Sequence, residues 1–296
     1  MTTTASYAPA RTDRRTPRPR RPGVPARATR TVAFVGAHPD DDTFSISGTI
    51  ALLRDDAALR FVLVLATDGE AGEIADDVAV TPSELARHRR GEDVDSWRTV
   101  GRVPDRTVWL GLPDGGLDQL PGGLLANRIA TVLREERPDV VATFGPDGLT
   151  GHADHVAVGA ATTAAFLDLA QDRGPGPSRL LHTGIPQSRF DAWNDDLASA
   201  SLPTWDPTQP YHFRPIPDAA VGVEVDCAHV AEVRLTGLRA HRSQWSYRTV
   251  PSAADTPLTR CLARESWVVA WPPRPAASTA CTHVFDGLPT LSGHGL

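Results

Sequence analysis

The chain contains no lysine: all 30 basic residues among its 296 are arginine. That absence excludes Schiff-base chemistry on a lysine amine, the pyridoxal-phosphate kind included, and a Walker-type phosphate loop. Cysteine is scarce as well. Cys227, Cys261 and Cys281 form an odd set without a C-x-x-C pair, which speaks against a disulfide scaffold or a thiolate zinc site and predicts a reduced, cytoplasmic protein. No apolar run approaches the roughly 18–20 residues of a membrane span, so no such span is expected. With 41% hydrophobic and 22% charged residues, wholesale disorder is excluded too.

Charge of one sign is missing from most of the chain. Residues 1–30 carry eight arginines against the single acid Asp13, a net +7, and taking that from the whole-chain −6 leaves −13 on residues 31–296. An acidic body cannot neutralise phosphates, so nucleic acid is excluded as a partner. Residues 1–30, rich in Arg, Pro and Thr, read as a disordered tail. The twin arginines Arg14-Arg15 and Arg20-Arg21 lack the apolar stretch a secretory signal needs, since Pro22-Gly23-Val24-Pro25 follows.

From Thr31 the pattern alternates between strand and helix. Residues 31–37 form a continuous apolar run, as a strand buried on both faces requires. Helices are predicted at about 45–55, from Pro82 toward Gly101, at about 121–136 and at 155–170. Strands are predicted at 60–67, 107–110 and 138–144. This alternation predicts an α/β fold, a Rossmann-like three-layer sandwich around a mostly parallel sheet, with crossovers of one hand. The stretch 174–217 carries eight prolines together with Trp193, Trp205 and Tyr211, and reads as mostly loop, a lid or binding wall. A strand at about 221–225, a helix at 227–242 and a strand at 264–270 close a single domain over 31–296.

The chemistry concentrates in two segments. Gly36-Ala37-His38-Pro39-Asp40-Asp41-Asp42 directly follows the first buried strand, where open α/β sheets bind ligands. Three consecutive acids beside a histidine repel one another, and a divalent cation relieves the conflict. Imidazole with carboxylate suits zinc or, less selectively, iron, cobalt or manganese. The second segment, Gly151-His152-Ala153-Asp154-His155, follows the 138–144 strand, so the two can meet across the sheet. Three side-chain ligands with an open fourth position is the pattern of a catalytic zinc site. A non-catalytic sugar- or nucleotide-binding domain is the reading of another class. Against it, the turn after the first strand carries His38-Pro39-Asp40-Asp41 where a G-x-G-x-x-G loop would admit a pyrophosphate.

These segments resemble the LmbE-like (PIG-L) zinc-dependent N-deacetylases. Ala37-His38-Pro39-Asp40-Asp41 matches the AHPDD(E) signature and Gly151–His155 the G-H-x-D-H motif. Thr67–Gly72, Arg89–Glu92, Leu112–Gly115 and His241–Gln244 follow in family order. The resemblance covers about 31–270. It implies His38, Asp41 and His155 as metal ligands, Asp40 as general base and His152 as the second catalytic histidine. Asp154 is suited to orient His152 and keep it protonated. Arg89 and Asp114 match positions that contact substrate hydroxyls. Two departures stand out: Asp42 replaces the usual Glu, and Thr150 occupies a position where some members carry a tyrosine. The implied activity is hydrolysis of an acetyl or short acyl group from an N-acylated amino sugar, a small molecule. The same chemistry on another amide, such as a thiol conjugate, is the rival.

Overall fold

Val32 and Phe34 face one side of strand β2 (Arg30–Gly36), Ala33 and Val35 face the other, and all four are fully buried. A strand packed on both faces has no polar positions to spare, which is why it reads as a continuous apolar run. The same holds for β3 (Leu59–Leu65) and β5 (Val140–Phe144). In the computed structural model, residues 11–12, 29–171, 176–244, 256–275 and 278–288 are described.

With β4 (Arg106–Trp109) and β6 (Arg179–Pro186), these strands lie parallel in the order β4-β3-β2-β5-β6. Beyond β6, β9 (Arg264–Trp271) and β8 (Val223–Asp226) add on antiparallel, and the short β7 (Pro215–Ile216) pairs with the end of β6. At the opposite edge, β1 (Arg11–Thr12) pairs antiparallel with β4. The sheet is therefore mixed, mostly parallel, with an antiparallel margin.

Helices cover both faces. Ile46 and Ile50 of α1 (Asp41–Leu52) and Trp97 of α2 (Leu85–Val100) pack on the Phe34 side. Ile129 of α3 (Leu124–Glu136) and Val158 and Phe166 of α4 (Ala153–Gln171) pack on the Val35 side. Burying one such aliphatic or aromatic side chain stabilises by about 1.5–3 kcal/mol, so the two apolar layers fix the sheet between the helices. Gly159 lets α4 close onto the end of β5: a Cβ there would stand 2.6 Å from the Phe144 carbonyl oxygen. After β2 the chain crosses to β3 on one side, and β5 flanks β2 on the other. That reversal opens a crevice at the carboxyl ends of β2 and β5.

The stretch 174–217 departs from its reading as mostly loop. It holds β6, an inner strand of the sheet, and helix α5 (Gln187–Ser199). Pro186 closes β6 and caps α5, where no ladder or helix hydrogen bond is lost, and Pro203, Pro207 and Pro210 fall in the loop that follows α5. The helix foreseen at 227–242 is a 3-10 turn followed by α6 (Ala231–Arg239), and a further short helix, α7 (Pro257–Leu262), precedes β9. Most of the Arg-rich tail lies outside the described residues. Among the described residues no helix is long and apolar enough to cross a membrane.

Candidate active site

Three lone-pair-bearing atoms converge at the carboxyl ends of β2 and β5. His38 Nδ1 lies 3.2 Å from His155 Nε2, His155 Nε2 lies 3.2 Å from Asp41 Oδ1, and His38 Nδ1 lies 3.7 Å from Asp41 Oδ2. The first comes from the turn after β2, the second from the head of α4, and the third from the first turn of α1.

Each of these groups is aimed by its other polar atom. His155 Nδ1 donates to the Gly148 carbonyl at 3.0 Å, and its ring stacks on Phe144 at 4.2 Å and 4°. Asp41 Oδ2 accepts the backbone N–H groups of Ala37 and His38 at 2.9 and 2.7 Å, leaving Oδ1 to face His155. His38 Nε2 faces Asp114 Oδ1 at 3.0 Å and Asp154 Oδ2 at 3.4 Å. A proton held on Nε2 by those carboxylates leaves the Nδ1 lone pair directed at the meeting point. Burial alone would lower the His38 pKa, but Asp114, Asp154 and Asp41 raise it to about 10. The same anionic brace strengthens the imidazole's hold on any cation. Burial would raise Asp41, yet the charges of His155 and His38 keep its carboxyl well below the usual range. Two imidazole nitrogens and a carboxylate, all buried and brought this close from three elements, form a donor set that fits a metal ion.

Asp40 is the N-cap of α1, with φ 117° and ψ −29°, a left-handed conformation uncommon for aspartate. Its Oδ2 stands 3.3 Å from Arg89 Nη2. Burial raises its pKa to about 7, with Arg89 pulling it down and Asp41 pushing it up. Arg89 itself is 4% exposed. Its Nη1 donates to the Gly69 carbonyl at 2.9 Å and its Nη2 to the Pro39 carbonyl at 2.7 Å. The two Nη groups of Arg89 are thus engaged with Asp40 and two turns of the protein.

Asp154 departs from expectation. Its carboxylate accepts the backbone N–H groups of Gly115 and Leu117 at 2.7 and 2.9 Å and braces His38, not His152. His152 Nδ1 instead accepts the Asp154 backbone N–H at 3.1 Å. A ring nitrogen that accepts is unprotonated, so the proton of the neutral imidazole sits on Nε2. Burial and the charges of His38 and His155 lower the His152 pKa to about 4, against the expectation of a protonated ring. Asp114 turns inward as well, its Oδ2 accepting the Ala71 N–H at 2.8 Å.

The remaining motifs form the walls. Asp42, where the resemblance expects Glu, accepts the Trp97 indole N–H at 2.5 Å and the Asp40 N–H at 3.3 Å, so the shorter acid ties α1 to α2. Thr67 donates its hydroxyl to the Ala37 carbonyl at 3.0 Å. His241 is fully buried, 3.2 Å from Thr43 Oγ1, and Ser243 donates twice to Glu92 at 2.6 Å. This motif ties the chain to α1 and α2. Trp193 and Trp205 pack on Phe213, as part of the scaffold. In the sequence Tyr211 reads as part of a lid or binding wall without a specific contact, and Arg214 is not singled out. The Tyr211 ring lies 5.2 Å from that of His152, and Arg214 lies against Gly151. Only the distance along the chain hid them.

Residues 33–166 match the family described as PIG-L, GlcNAc-PI de-N-acetylase. The 1D-myo-inositol 2-acetamido-2-deoxy-alpha-D-glucopyranoside deacetylase of Kineococcus radiotolerans is 34% identical over 249 residues, spanning 73% of this chain and 69% of that one. Among solved structures, the N,N'-diacetylchitobiose deacetylase of Pyrococcus horikoshii superposes with a TM-score of 0.51 at 23% identity, covering 73% of this chain and 71% of that one. The 4-carboxy-2-hydroxymuconate hydratase of Pseudomonas putida gives 0.55 at 15%, covering 85% and 100%. Those two share the fold while bearing the names of different reactions, so the fold alone does not decide the chemistry. The matched segment and the Kineococcus relative do decide the kinship: the chain belongs to the PIG-L (LmbE-like) family of N-deacetylases.

Proposed function

We propose that the chain hydrolyses the acetyl, or another short acyl, group of an N-acylated amino sugar carried in a glycoside or glycoconjugate. His38, Asp41 and His155 would hold a divalent ion, zinc in this reading, and iron(II) accepts the same donors. The observation that carries the proposal is the approach of His38 Nδ1, His155 Nε2 and the Asp41 carboxylate to within 3.2–3.7 Å of one another. When bound, such an ion polarises the amide carbonyl and acidifies water.

The chain's own groups then divide the proton work. Asp40, raised to about 7 by burial, takes the proton of the attacking water. A carboxyl of that pKa can hold the proton and return it to the departing amine nitrogen, serving as base and acid in turn. His152 is a hydrogen-bond donor in this scheme. With Nδ1 occupied as an acceptor, its Nε2–H is aimed at the carbonyl oxygen as that oxygen gains charge. Arg89 keeps Asp40 in place, and Asp114 with Asp154 keeps His38 in the required tautomer.

Release of free amine from a panel of N-acetylglucosaminyl compounds by metal-loaded protein, with a chelated control, tests the proposal. The substrate in the Kineococcus relative's name, an acetamido-glucopyranosyl inositol, heads the panel beside a bulky N-acylglucosamine glycoside. Chelator-sensitive release is the expected result. Verified metal binding without any release would sink the deacetylase reading and favour an amidase acting on a thiol conjugate.

A further inference from the structure

Arg89 and its neighbour Arg90 are engaged by the protein itself. Arg89 is buried on Gly69, Pro39 and Asp40. Arg90 grips Asp68 through Nε and Nη2 at 2.6–2.9 Å and lies 4.8 Å above the Trp109 ring. Arg214 is different. It is half-buried, its Nε is shielded from solvent without a partner, and no hydrogen bond or ion pair ties its guanidinium to any described residue. Only its backbone is fastened, the N–H donating to the Leu149 carbonyl at 2.8 Å.

The position of that guanidinium is specific. A Cβ on Gly151 would stand 2.2 Å from Arg214 Nη2 and 2.3 Å from Cζ, so the guanidinium lies in the space that glycine leaves open there. Gly151 immediately precedes His152. On the same loop, the Tyr211 ring lies 5.2 Å from the His152 ring while remaining 66% exposed, on a backbone with φ 62°. Between them Phe213 turns inward as a wedge, its ring 5.1, 5.2 and 4.9 Å from those of Phe44, Trp193 and Trp205. Asn194 of α5 fixes the Trp205 backbone with two hydrogen bonds of 2.8 and 2.9 Å. The loop is therefore anchored from below, and it presents an aromatic ring and an unpaired cation at the Gly151–His152 corner.

The surroundings say what such a cation is for. Asp40, Asp41, Asp114 and Asp154 line the crevice, and they are engaged with His38, His155, Arg89 or backbone N–H groups. Among the described residues these carboxylates already have partners, and none of them pairs with Arg214. A partly desolvated guanidinium without a carboxylate is costly in turn, and an oxyanion from the ligand relieves that cost. A neutral sugar would not relieve it.

We propose that Arg214 and Tyr211 form a substrate subsite. Arg214 takes an oxyanion, carboxylate or phosphate, carried by the amino-sugar substrate beside its N-acyl group, and Tyr211 packs its ring on the sugar face. The planar guanidinium fork matches the geometry of both anions. This subsite rests on the deacetylase reading for what lies next to the anion, not for the anion itself.

The test uses the metal-loaded, full-length enzyme and three matched N-acetylglucosaminides, with a neutral methyl, a carboxylate-bearing and a phosphate-bearing aglycone. We expect the better anionic substrate to exceed the neutral one roughly tenfold in kcat/KM, through KM, with the preference shrinking as salt is added. Arg214→Met brings the ratio close to one, and Arg214→Lys, which keeps the charge and loses the fork, falls between. Which anionic arm responds more identifies the oxyanion. A wild type without preference, or a ratio that survives Arg214→Met, overturns the subsite. Direct calorimetric binding of the same three compounds gives the ratio independently of turnover. If no amine is released, the deacetylase reading falls, while the binding ratio of wild type and Arg214→Met still decides the subsite.

Discussion

His38, Asp40 and Asp41 lie within four consecutive positions after β2, and His152, Asp154 and His155 within four more at the start of α4. Tyr211 and Arg214 reach the same crevice from a proline-rich stretch much further along the chain. The two regions meet different physical demands. A metal ion needs donors fixed in distance and angle, which strand ends and helix starts supply because their backbones are locked by ladder and helix hydrogen bonds. Recognition of the rest of a substrate needs reach and variety, which a loop supplies once something anchors it. Here the anchor is Phe213, packed among Phe44, Trp193 and Trp205.

The sharpest way to separate the two regions is to remove the proton carrier. Asp40→Asn should cut kcat roughly a thousandfold while metal content stays that of the wild type. In the wild type, kcat/KM should climb as pH rises through about 7, because burial raises Asp40 to that value and a base works only when deprotonated. The variant should lose this limb. Normal turnover would remove Asp40 from the role. His155→Ala attacks the metal itself: affinity should drop by more than about a hundredfold in a competition assay with a chelator. Unchanged occupancy would assign the third ligand elsewhere.

Smaller effects probe the supports. Phe213→Ala, which loosens the loop and leaves the strand ends alone, should cost about 2 kcal/mol in denaturant unfolding and raise KM more than it lowers kcat. Equal KM values would show that the loop does not need its wedge. Arg89→Met keeps the buried stem and removes the charge that lowers Asp40. The acid limb of kcat/KM should therefore move up by about one pH unit, and an unmoved midpoint would deny Arg89 that influence.

The smallest effect concerns a buried acid pair behind the site. Burial raises Asp42 to about 6 and raises Asp93 well above the usual carboxylate range, with each acid also facing the charge of its neighbours. The folded state holds protons that an unfolded carboxyl, near 3.9, has already released. Its contribution is full at low pH and is lost as pH rises through the folded values. The wild type should thus melt lower at pH 8 than at pH 6, and Asp93→Asn should reduce that difference by about 3 °C. A variant with the wild-type slope would show that the pair is not the source.

The legibility of the chain follows the same division. Strands β2, β3, β4 and β5 could be read because each is a short apolar run followed by a helical pattern. Strand β6 escaped because Pro175 and Pro177 precede it, Pro186 ends it, and His182, Thr183 and Gly184 interrupt its apolar residues. All of its residues are nevertheless buried, since its neighbours β5 and β9 supply the cover that its own composition does not announce. At the site, residue types and spacing pointed to the segments 36–42 and 151–155, the family resemblance implied His38, Asp41 and His155 as ligands, and the structure brings those three together. The partners that Asp154 and Arg89 take within the protein could not be read there, because hydrogen bonds to backbone carbonyls and N–H groups of distant turns leave no mark in side-chain spacing.

By itself the sequence determined the parallel core of the sheet and the two motifs at its strand ends, because both arise from periodicity and short-range spacing. Only the tertiary structure decided which acid braces which imidazole, that His152 Nδ1 accepts the Asp154 backbone N–H, and that Arg214, without a partner among the described residues, lies against Gly151. Hydrogen-bond partners are chosen by atoms that folding brings within about 3 Å, and residues remote in the chain become such neighbours only once the sheet and its two apolar layers have formed.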